Sequence, residues 1–160
     1  MLLYRRMRAV IQRVSGARVV VLDADGSWRQ TGSVGHGLCA LIGVAEGDTE
    51  ADAVALAEKI ATLRIFEDAQ GKMNDDVFEV AGGVLAVSQF TLLGDVRKGR
   101  RPAFTSAMAP EPAKLLYLRV CALIRSRGIH VEEGEFRATM RVELVNDGPV
   151  TILLDTRKQF

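Results

Sequence analysis

The sequence predicts an α/β protein. One domain is expected, in which a strand-rich mixed sheet or open barrel is covered by two main helices. Three observations carry this prediction. The chain has 160 residues, the length of a single domain at about 100–200 residues each. Short apolar runs of strand length recur between glycines and turn residues. Two longer segments instead repeat their apolar positions at the helical period. No internal repeat, low-complexity segment or linker breaks the pattern, so the domain is expected to span 1–160.

The elements follow in order. Residues 8–14 and 17–22 read as strands separated by a turn or bulge at Ser15 and Gly16. Asp25-Gly26 signals a hairpin into a polar strand over 28–34. The run LCALIGV at 38–44 fits a strand buried on both faces. A helix starts near Asp48 or Thr49, either of which can cap it. Its face is drawn from Val54, Ala57, Ile60, Ala61 and Arg64 and closes with Ile65, with acids in the first turn and bases toward the end. Residues 69–72 form a turn, 75–80 a short amphipathic piece, and Gly82-Gly83 opens a strand over 84–90. Residues 93–109 read as a long loop, a feature that is often functional in a compact domain. The second helix runs over 111–127, with Pro110 and Pro112 at its first turn and Gly128 as its stop. Leu115, Leu116, Val120, Leu123 and Ile124 form its expected buried stripe. His130 starts a further strand, and strands near 136–145 and 150–155 are joined by Asn146-Asp147-Gly148-Pro149.

Composition excludes several classes. Lys+Arg total 21 and Asp+Glu 20, so the chain is neither basic nor acidic throughout. Hydrophobic residues at 48% and charged residues at 26% argue against disorder. Cys39 and Cys121 stand far apart in apolar surroundings and read as two reduced, buried thiols of a cytoplasmic protein. The N-terminus lacks the apolar run of a signal peptide, and no apolar stretch is long enough to span a membrane. His36 and His130 are the two histidines, and no ligand cluster accompanies them, so neither a metal nor another cofactor is expected.

Charge is nevertheless clustered. Residues 1–20 hold five arginines and no acid, and Arg97, Lys98, Arg100 and Arg101 fall within five positions on the long loop. Such clusters are compatible with phosphate binding, although charge alone favours the plainer reading of a solvated loop. Ser88-Gln89-Phe90-Thr91 stands at the C-terminal end of a buried strand, where hydroxyls line crevices in α/β sheets. Ser88 and Thr91 would fall on opposite faces if the strand continued through both. A Ser/Thr-His-Asp triad would need His36 or His130 as base, and no GxSxG elbow is present. Asn146-Asp147-Gly148-Pro149 is by itself a turn signal.

Together these segments resemble the D-aminoacyl-tRNA deacylases of the bacterial and eukaryotic type. The resemblance rests on MRAVIQRV (7–14), RIFEDAQGKMN (64–74), VSQFTL (87–92), RKGRRPAF (97–104) and LVNDGPVT (144–151), which stand in the family's order and spacing over 7–155. Residues 1–6 lie outside it, which would make Met7 the start and the first six residues an upstream extension. The resemblance implies a homodimer that hydrolyses the ester between a D-amino acid, or mischarged glycine, and the 3′-terminal adenosine of tRNA. It implies that Gly148 and Pro149 are a Gly-cisPro motif projecting into the active site of the other subunit. Ser88, Gln89, Phe90 and Thr91 would form the facing wall, and Arg13 would hold the Gly-cisPro element in place. Arg97, Lys98, Arg100 and Arg101, helped by Arg5, Arg6 and Arg8, would contact acceptor-stem phosphates. A non-catalytic RNA-binding module remains the alternative.

Overall fold

The structure, a computed structural model, describes residues 7–158. The expected contributions of Arg5 and Arg6 therefore lie outside the described residues. Strand β1 (Arg8–Leu22) is the spine of the fold. One edge of β1 pairs antiparallel with β2 (Trp28–Val34) over its second half and with β3 (Gly37–Gly43) over its first half. The other edge pairs with β8 (Met140–Asp155) along nearly its whole length. Beyond β3 the sheet continues in parallel through β6 (Gly83–Ser88) and β7 (His130–Glu133).

The sheet curls until β7 approaches β2. A Cβ on Gly32 of β2 would stand 2.8 Å from the Glu133 carbonyl oxygen, so that approach requires glycine. The result is an α/β architecture with a nearly closed mixed sheet. Helices α1 (Glu50–Thr62) and α2 (Pro110–Arg125) pack side by side against it. Thr49 caps α1, and the Asp52 carboxylate accepts the Thr49 N–H at 2.9 Å, a capping-box contact. A small hairpin of β4 (Phe66–Glu67) and β5 (Met73–Asp75) surrounds the expected turn.

Strand β3 is buried on both faces, as its unbroken apolar run requires. Leu38, Ala40 and Ile42 meet the helices, whereas Cys39 joins Val14, Val19, Leu85 and Val87 inside the curl. The two helical stripes differ from expectation at Val54 and Leu115, and Arg64, expected on the first face, is exposed beyond the end of α1. Val54 is 42% exposed and Leu115 is 70% exposed. The faces that bury are Ala53, Leu56, Ala57, Ile60 and Ala61 on α1, and Ala113, Tyr117, Val120, Cys121 and Ile124 on α2. The Tyr117 hydroxyl stays satisfied by donating to the Ala86 carbonyl at 2.7 Å.

Two expected interruptions are absorbed into long strands. Ser15 and Gly16 form a bulge within β1, and β8 runs unbroken through the Gly148–Pro149 bond. Residues 136–139 precede β8 and do not belong to a strand.

Candidate active site

Strand β6 stops at Ser88, and the chain tightens into a 3-10 turn over Phe90–Leu93. Ser88 and Thr91 are therefore not two positions of one strand. The Gln89 N–H donates to the Ile42 carbonyl at 2.7 Å and holds the turn at the end of β3. Beside it lies a cleft of about 590 Å³. Ser88, Gln89 and Phe90 line one wall. Phe104 and the stretch 107–110 line another, and Phe136, Arg137, Ala138, Met140 and Val142 complete it. Thr91 is exposed and does not line the cleft. Its hydroxyl oxygen accepts a hydrogen bond from the Gln89 side-chain amide.

No triad is assembled around Ser88 or Thr91. The His36 ring packs edge-on against Phe66, with centroids 5.1 Å apart. His130 lies 3.4 Å from Glu132, and neither histidine lines the cleft. The thiols are also remote from reactivity: burial pushes Cys39 up to about 11 and Cys121 up to about 12. Among the described residues, no group of three or more His, Cys, Asp and Glu side chains is placed to hold a metal ion.

The long loop is tied down rather than open. Asp95 and Ala103 exchange backbone hydrogen bonds of 2.8 and 2.9 Å, and Ala107 bridges to Ala45. Lys98, Arg100 and Arg101 are exposed at its tip. Arg97 is exposed as well and grips Asp95 at 2.7 Å, which holds that carboxyl well below the usual carboxylate range. Phe104 meets Phe90 edge-on at 5.1 Å, so the basic loop is joined to the cleft wall.

The second structured feature sits on β8. Gln12 pairs with Thr151 and Val14 with Asn146, so four β8 residues stand opposite Arg13 alone. The surplus loops out, and Gly148 and Pro149 are exposed at its tip with a cis bond between them. Gly148 has φ +125°, a conformation reserved for glycine. Asn146 closes the loop: its side-chain oxygen accepts the Val150 N–H, and its nitrogen donates to Thr151. Arg13 braces it from beneath and is 7% exposed. Its Nε donates to the Asp147 carbonyl at 3.2 Å and its Nη1 to the Ile65 carbonyl at 2.9 Å.

The loop and the cleft do not meet within one chain. Gly148 and Pro149 are absent from the cleft lining. Along β1 the loop lies opposite Arg13, whereas the 88–90 segment continues from Ile42, the partner of Ala9. Four residues of strand separate those levels by roughly 13 Å. The sequence reading missed Phe104, Met108, Phe136, Arg137 and Met140 as cleft residues. They come from distant segments and carry no shared local signal.

This is a single α/β domain with an open, largely apolar cleft at a strand end and no acid–base dyad within it. The family model for D-Tyr-tRNA(Tyr) deacylase matches residues 10–155. A D-aminoacyl-tRNA deacylase of Anaeromyxobacter dehalogenans is 62% identical over 96% of this chain and 100% of its own. One of Thermotoga petrophila is 53% identical over 96% and 100%. A solved structure named c-Myc DNA Unwinding Element Binding Protein superposes with TM-score 0.83 at 39% identity, over 92% of this chain and 97% of that one. A probable eukaryotic D-amino acid tRNA deacylase, 20% identical, shares the fold with TM-score 0.77 over 94% and 99%. The chain belongs to the D-Tyr-tRNA(Tyr) deacylase family. It is accordingly a hydrolase acting on a carboxylic ester bond.

Proposed function

We propose that this enzyme removes D-amino acids, and mischarged glycine, from the 3′-terminal adenosine of tRNA in the cytoplasm, and that it rejects L-aminoacyl esters by means of Gly148 and Pro149. The family match supports the reaction. The observation that carries the selectivity is the exposed loop at Gly148–Pro149, braced by Arg13 yet outside its own cleft. A second copy of the chain supplies the missing contact: the loop of one protomer enters the cleft of the other. The outer edge of β8 supports such a homodimer. It has no partner among the described strands, and Val145 and Leu153 are 62% and 53% exposed on that strand.

In the reaction, water adds to the ester carbonyl, the tetrahedral oxyanion collapses, and the D-amino acid leaves the ribose oxygen, which takes up a proton. An aminoacyl ester is already activated, so positioning and fixed donors carry much of the rate. A 3-10 turn bonds each N–H to the carbonyl three residues back, so the amides of Phe90 and Thr91 at its start have no partner within it. Of the two, the Phe90 amide belongs to a residue on the cleft wall and is the donor for the oxyanion. Ser88 and Gln89 line the wall, and Thr91 holds Gln89. The two enantiomers exchange the places of side chain and α-hydrogen. Backbone atoms on a braced loop exclude the L side chain without reading side-chain identity. Lys98, Arg100 and Arg101, with Arg97 on its Asp95 partner, face the acceptor-stem phosphates.

A second reading is a nucleic-acid-binding module that hydrolyses nothing. The name of the 39%-identical solved structure and the exposed basic loop favour it. Deacylation of D-Tyr-tRNA and L-Tyr-tRNA, with and without EDTA, separates the two. Fast loss of the D ester alone, unchanged by EDTA, is expected. Loss of both esters would remove the chiral filter. Loss of neither, with tRNA still bound, would establish the binding module.

A further inference from the structure

We infer that Arg137 is the phosphate contact of the cleft, taking the phosphodiester on the 5′ side of the terminal adenosine; this rests on the deacylase reading above. Arg137 is the sole ionisable side chain among the described residues lining the cleft. It is exposed, and among the described residues no carboxylate pairs with it. Neighbouring charges are engaged elsewhere. Glu135, two residues away, bonds Arg29 at 3.2 Å, Glu133 bonds Arg125 at 2.6 Å, and Arg141 stacks on Trp28 at 4.0 Å.

The backbone points the same way. Arg137 has φ +68°, in the left-handed region that residues bearing a Cβ rarely adopt. The turn is closed by the Ala138 N–H donating to the Glu135 carbonyl. An arginine kept in a conformation suited to glycine, at the mouth of a cleft without other charge, implies a role for its guanidinium. The start of α2 also borders the cleft, but Pro110 and Pro112 carry no N–H there. The helix thus offers few donors, and Arg137 is the charge available to an anion. A terminal aminoacyl-adenosine presents one anionic group next to its ribose, the 5′ phosphodiester. A guanidinium fork matches two phosphate oxygens.

The test compares Arg137→Gly and Arg137→Lys with the unsubstituted chain on D-Tyr-tRNA and on 3′-O-D-tyrosyl-adenosine, which lacks the phosphate. Arg137→Gly relieves the backbone and should not lower the melting temperature. On D-Tyr-tRNA its KM should rise about tenfold with kcat held, and Arg137→Lys should recover part of that loss. On the phosphate-free ester the penalty should vanish, as in a double-mutant cycle. The slope of log affinity for tRNA against log salt should also flatten by about 0.7–1. Equal losses on both substrates, or an unchanged salt slope, would overturn the assignment. Hydrolysis of neither ester by the unsubstituted chain would instead overturn the deacylase reading. The salt slope would then still decide the phosphate contact.

Discussion

Arg13 offers the sharpest test, because two kinds of interaction compete to explain it. Its Nε lies 3.8 Å from an Asp147 carboxylate oxygen, and the Asp147 side chain is half exposed. A long, half-exposed pair of this kind contributes no more than about 0.5 kcal/mol. The two carbonyl bonds are different. The Ile65 oxygen is buried and the Asp147 oxygen partly buried. Arg13→Ala strands both. At about 2 kcal/mol for the buried carbonyl and ~1 kcal/mol for the other, the loss is about 3 kcal/mol. For a chain of this size that lowers the melting temperature by roughly 6–12 °C. Arg13→Lys keeps the charge but lacks the fork, reaches one carbonyl, and should fall between.

The assay is thermal unfolding of Arg13→Ala, Arg13→Lys and Asp147→Asn, paired with kcat/KM on D- and L-Tyr-tRNA. Asp147→Asn should melt within about 2 °C of the parent. Arg13→Ala should also lose discrimination between the enantiomers, because the Gly148–Pro149 loop loses its brace. Asp147→Asn as costly as Arg13→Ala would show that the ion pair dominates. Arg13→Ala with an unchanged melting temperature would refute the reasoning altogether.

Three further outcomes are expected. In Gly148→Ala the new Cβ would meet the Val150 side chain at 2.8 Å and Arg13 Nη2 at 3.0 Å, at a φ of +125°. That should cost about 1–3 kcal/mol in a denaturant titration and lower the D-over-L ratio, and parental values of both would contradict it. Burial pushes the Asp48 carboxyl up to about 7. The folded chain therefore keeps a proton that the unfolded chain releases near 3.8, and this stabilisation is full below about pH 4 and lost as pH rises through 7. Asp48→Asn should flatten urea midpoints between pH 4.5 and 8, whereas a profile parallel to the parent's would exclude Asp48 as the source. Ser88→Ala should reduce kcat less than about a hundredfold, since losing a covalent nucleophile costs on the order of 10⁶. Retention by a serine-hydrolase probe would contradict that expectation.

The parts of the fold legible in sequence are those set by local period. The doubly buried β3, the capped α1 and the proline-led α2 all announce themselves within a dozen residues. What was not legible depends on distant pairing. Ser15-Gly16 and Asn146 to Pro149 carry real turn signals, and locally each separates two strands. β1 and β8 pair on both sides of these positions, so the surplus residues become a bulge and an extruded loop instead of chain breaks. Val54 and Leu115 illustrate a different limit. Apolar spacing fixes the helix but not its rotation to within one residue, and the neighbours across the interface decide that. At the site, the strand-end position singled out Ser88 to Thr91, and the resemblance gave them and Gly148-Pro149 their expected roles; Ser88, Gln89 and Phe90 line the cleft, whereas Thr91, Gly148 and Pro149 do not. The Ile65 carbonyl that anchors Arg13 and the strained Arg137 have no sequence signature, because a backbone acceptor and a positive φ leave none.

Under the proposed function, the cleft works with little acid–base equipment. General acid–base catalysis is worth about 10²–10⁴-fold. Holding reactants in place offers more, up to about 7–11 kcal/mol of the barrier, and one oriented oxyanion donor a further 10²–10³-fold. Both larger contributions need rigidity, not titratable groups. The molecule supplies that rigidity through one strand. β1 fixes the level of the 88–90 turn through β3 and the level of the Gly148–Pro149 loop through Arg13. Under the proposed function, a loop flanked by paired strand and braced at the Asp147 carbonyl by an arginine that is itself anchored on Ile65 resists an L side chain better than a mobile side-chain wall would. In the proposed dimer, stability at Arg13 and selectivity at the cleft are thus the same physical property, and a substitution that softens the first should blur the second.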